Sequence, residues 1–126
     1  VREGTDVTIA ALAAMVPRAW QAADQLAGDG ISAEVIDVRS LVPLDVRTLS
    51  ASVVKTSRLV TVEENPRLCG WGAEIVSIIV DECFWSLDGP PTRITTPHVP
   101  LPSADDLEDR TVPTVDRVVD TVRRLR

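Results

Sequence analysis

The chain has 126 residues, one domain's worth, with 44% hydrophobic and 25% charged residues. That balance fits a folded soluble domain and excludes intrinsic disorder, while the lack of any apolar run near about 18 residues excludes a membrane-spanning helix. The net charge of −6 argues against a nucleic-acid partner, whose phosphates require a basic face.

Cys69, Cys83 and the single His98 cannot furnish a four-ligand zinc site. Two reduced thiols and no basic-then-apolar leader predict a cytoplasmic protein, with one disulfide as the alternative.

Residues 5–12 follow Gly4 and read as a first strand. A helix comes next, with Pro17 in its first turn and Val16, Ala19, Trp20, Ala23 and Leu26 at helical spacing. Gly28 and Gly30 end it. Residues 33–38 form a second strand leading into a turn over 39–44. Asp45 is placed to cap a second helix with a buried stripe of Val46, Leu49 and Val53.

Residues 58–63 read as the third strand, and 64–72 as a loop. The helix after it carries Ile75, Val76, Ile78, Ile79, Val80, Cys83 and Phe84, an apolar surface wide enough for contact on more than one side. Residues 92–96 form a fourth strand fenced by Pro90, Pro91 and Pro97, and residues 98–113 show no period. The last helix aligns Val115, Val118, Val119, Val122 and Leu125, with Asp116 early and Arg123, Arg124 and Arg126 late, as the helix dipole favours. Strands alternating with amphipathic helices predict a mostly parallel sheet covered on both faces, with ligands or partners at the loops beginning at Arg39, Glu64 and Pro97.

Several residues along these loops have two readings. Arg39, just past a strand, is placed to bind a carboxylate or phosphate, or to pair with Asp37 or Asp45. The Gly70-Trp71-Gly72 turn opens a helix whose N–H groups suit an anion, or its glycines serve close backbone packing. Trp71 itself reads as a partner contact. His98 is either an acid–base group or a structural or interface residue. Glu63 and Glu64 point to opposite faces if the strand continues through them. Asp105, Asp106, Glu108 and Asp109 form a solvated loop or a face for a basic partner. Cys69 lies on a loop, open to reaction, and Cys83 reads as core packing.

Taken in order, residues 1–9, 31–45, 59–67, 70–75, 96–102 and 112–115 resemble the beta subunit of the decarboxylating component of 2-oxo acid dehydrogenase complexes (pyruvate, branched-chain or acetoin type), specifically its transketolase-like C-terminal domain. The resemblance implies a three-layer α/β/α sandwich with a mostly parallel mixed sheet of about five strands, the first antiparallel. It implies that residues 1–126 are a single such domain excised from a longer beta subunit, inactive alone. The complex performs oxidative decarboxylation with acyl transfer to lipoyl. Thiamine diphosphate and magnesium are then held by other domains, and no residue here is catalytic.

By the same resemblance, Arg39 and His98 become candidates for substrate-entrance or anion contact. Glu64, Asn65 and Arg67 become candidates for subunit contact, alongside Trp71, Phe84 and Trp85 as an apolar patch. The implied partners are an alpha subunit and a second beta subunit in a heterotetramer, and a dihydrolipoyl acyltransferase core. Asp105, Asp106, Glu108 and Asp109 would dock that core in place of the basic tail. Two alternatives stand beside this reading. One is a stand-alone anion- or nucleotide-binding module, and the other is the terminal domain of a transketolase or deoxyxylulose-phosphate synthase.

Overall fold

Alternation along the strands sets the architecture, and a computed structural model shows it for residues 2–100 and 102–125. Expectations placed on Val1, Leu101 and Arg126, and on the Asp105 side chain, lie outside the described residues. The order is β1 (Val7–Ala11), α1 (Met15–Gly28), β2 (Ala33–Asp37), α2 (Val46–Thr56), β3 (Leu59–Pro66) and α3 (Trp71–Cys83). A single 3-10 turn (Phe84–Ser86) follows, then β4 (Thr92–Thr96), α4 (Asp105–Thr111) and α5 (Val115–Arg124). The sheet runs β2-β1-β3-β4, every neighbour parallel.

Successive residues of a strand face opposite sides, so the sheet feeds two cores. Val7, Ile9, Ala33, Val35, Val60, Val62 and Ile94 pack under α1 and α5. Ala10, Ile36 and Leu59 pack under α2 and α3, against Leu49, Val53, Ile75 and Ile79. Helices thus cover both faces, which is the three-layer sandwich expected.

Among the described residues the sheet has four strands rather than about five, and it is wholly parallel rather than mixed. The antiparallel element shrinks to one bridge, in which the Arg2 and Val35 amides donate to each other's carbonyls at 3.2 and 2.9 Å. Pairing stops there because Gly4 presses against the backbone of Ala33 and Glu34, where no Cβ would fit. The Thr5 and Asp6 amides then donate to the Ser32 carbonyl, turning the chain into β1.

Other boundaries moved for local reasons. β3 continues through Pro66 because it stays paired with β4 across a register shift between Val62 and Pro66. The acidic segment contains α4, whose seven mostly charged residues are too few to show a period. Trp20 leaves the buried stripe of α1, which is Met15, Ala19, Ala22, Ala23 and Leu26. These alanines let α1 lie close to α5, and Trp20 sits at the surface with the Arg2 guanidinium 5.7 Å from its ring centroid.

In α2, Val46 is half-buried, and the stripe is completed by Ser52 and Thr56. Both hydroxyls bond the buried Thr8 hydroxyl of β1, at 2.6 and 2.7 Å. Asp45 caps α2 as predicted, accepting from the Thr48 amide at 3.0 Å.

Ile79 is fully buried in the α2/α3 core. Replacing it with alanine should cost about 2–5 kcal/mol in urea unfolding, whereas Trp85→Ala, at a side chain 94% exposed, should leave the midpoint nearly unchanged. Equal effects would contradict this placement of the core.

Candidate functional site

Among the described residues, the most densely bonded side chain is a carboxylate. Glu63, in β3, is completely buried, and the period-two pattern puts it with Thr61 on the α3 side of the sheet. Arg93 of β4 lies on the same side, because β4 pairs in register Thr61↔Arg93. Its guanidinium meets the carboxylate as a two-pronged fork, with Nε donating to Oε1 and Nη2 to Oε2, both at 2.8 Å. The Thr61 hydroxyl donates to Oε1 at 2.8 Å, and Asn65 Nδ2 and the Gly72 amide donate to Oε2 at 3.0 Å each. Burial by itself would raise the Glu63 pKa. The bonds from Arg93, Asn65, Thr61 and the Gly72 amide outweigh it and hold the carboxyl below its ordinary value.

This explains the Gly-Trp-Gly turn. A Cβ on Gly72 would overlap the Glu63 carboxylate, and one on Gly70 would lie 2.5 Å from both Glu63 Oε2 and Arg93 Nη2. The glycines therefore serve close packing. The N-terminus of α3, a natural anion seat, is already filled by the chain's own glutamate.

The remaining candidates scatter. Arg39 has a positive φ of 55° and an exposed side chain whose Nε donates to Asp37 Oδ2 at 3.1 Å. His98 is exposed, and its side chain has no hydrogen-bond partner among the described residues. One follows β2 and the other β4, the two edges of the sheet, so three strand spacings of about 4.8 Å separate them. Trp71 is half-buried, packed on the α2/α3 core rather than standing free. Asn65 serves Glu63, Arg67 is exposed, and Phe84 and Trp85 are exposed. Cys69 is exposed and Cys83 buried, both free, and burial raises the Cys83 thiol pKa, aided by Glu82.

The strand order reverses between β1 and β3, and in open α/β sheets ligands settle outside the strand ends at such a point. A cleft of 420 Å³ lies there, lined by Arg18, Glu64, Glu108, Asp109 and Val112 among others. Glu63 and Glu64 do face opposite ways, and Glu64 opens into this cleft. Arg18 is already engaged, donating to Asp109 at 2.7 Å and to the Pro113 carbonyl at 2.9 Å. Three carboxylates around one neutralised arginine do not suit a diphosphate or an anionic oxo acid. Among the described residues, no group of three or more His, Cys, Asp or Glu side chains is placed to hold a metal ion.

Sequence reasoning missed Arg93 and Arg18. The available signal for Arg93 was an arginine on the inward face of a threonine- and isoleucine-rich strand, which demands a buried acid partner.

Residues 1–118 match the family of the transketolase C-terminal domain. Over 98% of its length the chain is 53% identical to the mitochondrial pyruvate dehydrogenase E1 component subunit beta-2 of rice (Oryza sativa subsp. japonica), covering 33% of that protein. It is 45% identical to the beta subunit of the acetoin:2,6-dichlorophenolindophenol oxidoreductase of Bacillus subtilis, covering 98% of this chain and 36% of that one. Among solved structures it superposes on a split-gene transketolase, described as an inactive beta4 tetramer, with a TM-score of 0.84 and 32% identity over 98% of this chain and 40% of that one. The chain thus spans about a third of the length of the curated relatives it matches. The rice protein is mitochondrial, as are further plant relatives, and this overturns the expectation of a cytoplasmic location drawn from the thiols.

A carboxyl whose folded pKa lies below its ordinary 4.5 stabilises the fold above that value, and the contribution is lost as pH falls through the folded value. Glu63→Gln should therefore lower stability at pH 7 and flatten the acid limb of a plot of unfolding free energy against pH. Arg93→Met, which strands the buried carboxylate, should cost roughly 3–5 kcal/mol at pH 7. An unchanged acid limb in Glu63→Gln would contradict the assignment.

Proposed function

Because the chain belongs to the transketolase C-terminal domain family, we propose that it is the assembly and active-site-supporting domain of a thiamine-dependent 2-oxo acid dehydrogenase beta subunit. The enzyme would decarboxylate pyruvate or a related oxo acid and pass the acyl group to lipoyl. Thiamine diphosphate and magnesium would be held by other domains, which supply the electron sink, while residues 1–126 form one domain of the longer subunit and are inactive alone.

The observation that carries this reading is the occupation of the α3 N-terminus by Glu63. The best anion seat in the fold is closed from within, and Arg39 is paired with Asp37. The stand-alone anion-binding alternative needs both groups, so it is the weaker reading. The high identity to a pyruvate dehydrogenase beta subunit favours this complex over a transketolase or a deoxyxylulose-phosphate synthase.

Within the assembly, the strand-end residues Arg39, Glu64, Asn65, Arg67 and His98 would face the active-site side, toward the alpha subunit and the second beta subunit of a heterotetramer. The acyltransferase core would meet the acidic helix α4. Asp106 and Glu108 are exposed there, and Asp109 is tied to Arg18.

In the full alpha/beta assembly, deletion of residues 1–126 should abolish lipoyl acylation, and the separate chain should neither bind thiamine diphosphate by calorimetry nor consume pyruvate. Turnover of pyruvate or a branched-chain oxo acid by the chain alone would refute the proposal.

A further inference from the structure

Unlike α1, α2, α3 and α5, the short helix α4 buries none of its described side chains outright. Residues 106–110 are all exposed, Leu107 by 53%, and Thr111 is half-buried. Seven residues are too few to hold a helix in water on their own, so α4 depends on what ties it down. Behind it, Val112 and Pro113 are buried and anchor its C-terminal end. Among the described residues, its one side-chain bond to the body of the domain is an ion pair with α1, in which Arg18 Nη2 donates to Asp109 Oδ1 at 2.7 Å.

Asp109 does not serve the helix it stands on. It lies in the last turn, where a negative charge opposes the helix dipole. The two halves of the pair are also unequal. Arg18 has 24% of its side chain exposed and is held a second time, with Nη1 donating to the Pro113 carbonyl at 2.9 Å, whereas Asp109 is 72% exposed. When the pair parts, Arg18 keeps its place and Asp109 leaves with α4. An ion pair this open to water is weak, and salt screens it further.

Release of α4 changes the cleft behind it. Glu108 and Asp109 line that cleft together with Arg18, Glu64, Met15 and Val112, at the point where open α/β sheets receive ligands. Shut, it sets three carboxylates against one arginine and repels anions. With α4 lifted, only Glu64 remains beside Arg18, and the guanidinium has lost its carboxylate partner.

We propose that α4 is a flap latched by Asp109 on Arg18, and that its release opens a seat for a small carboxylic acid, whose carboxylate replaces Asp109 and whose apolar body rests on Met15 and Val112. The device belongs to this domain whichever enzyme it serves, and it goes beyond the role of an assembly piece.

Hydrogen exchange followed by NMR tests the flap in the 126-residue chain. The Glu108 and Val112 amides, bonded to the Ala104 and Glu108 carbonyls, should be at least about tenfold less protected than the buried Ile31 amide. Asp109→Ala removes the latch while keeping a good helix former, and it should speed their exchange severalfold with the unfolding midpoint unchanged. Equal protection of α4 and Ile31, or no acceleration in Asp109→Ala, would overturn the flap. Sodium butyrate tests the seat in the chain carrying Glu108→Ala and Asp109→Ala, with butyramide as the uncharged control of the same shape. Butyrate should bind saturably, shift the Arg18 Nε–H resonance, and bind at least about tenfold more tightly than to the wild type. Adding Arg18→Ala should abolish that binding. No saturable butyrate binding by the double variant, equal binding by butyramide or by the wild type, or binding that survives Arg18→Ala would each overturn the proposal.

Discussion

A glutamate sealed beneath a helix must be paired or protonated, and in this domain it is paired five times over. Isolating a carboxylate from water costs several kcal/mol, and only good geometry with saturated lone pairs recovers that cost. Glu63 meets the condition through both prongs of Arg93, the Thr61 hydroxyl, the Asn65 amide and the Gly72 N–H. The cluster joins β3, β4 and the start of α3, so the register of the edge strand and the seat of the helix are fixed by one group. Gly70 and Gly72 follow from it, since nothing larger than hydrogen fits beside the carboxylate.

That arrangement shapes what the domain can do. Helix N-termini are where open α/β sheets usually receive anions, and the one over β3 is filled by the fold itself. With α4 shut, the cleft at the strand-order reversal is ringed by Glu64, Glu108 and Asp109, a poor seat for an oxo acid or a diphosphate. What the domain offers outward is surface: exposed strand-end loops at one end, the short acidic helix beside them, and the exposed Phe84 and Trp85 at the other end. This distribution suits a piece that supports chemistry held by neighbours.

Much of the fold was legible because local and global signals agreed. β4 was read at its observed bounds, Asp45 caps α2 through a side chain of the right kind, and the valine stripe of α5 is the buried face. The failures share a cause, namely contacts distant in sequence. The burial of Glu63 depends on Arg93, thirty positions away, and the hydroxyls of Ser52 and Thr56 look polar until Thr8 is set beside them. Trp20 looks like core until the alanines of α1 are seen to control the approach of α5. The candidate site was less legible than the fold. Arg39 and His98 fall on opposite edges of the sheet, which depends on strand order and is invisible to spacing along the chain.

The claim at the centre is that Glu63 is the resident anion of the α3 N-terminus. The Gly72 amide resonance, followed by NMR while sodium phosphate or acetate is added, reads this directly. The account predicts no saturable shift in the wild-type chain, and a saturable shift with a rise in thermal midpoint in Glu63→Ala, where a free anion can take the vacated place. A saturable shift of the wild-type Gly72 amide would contradict it.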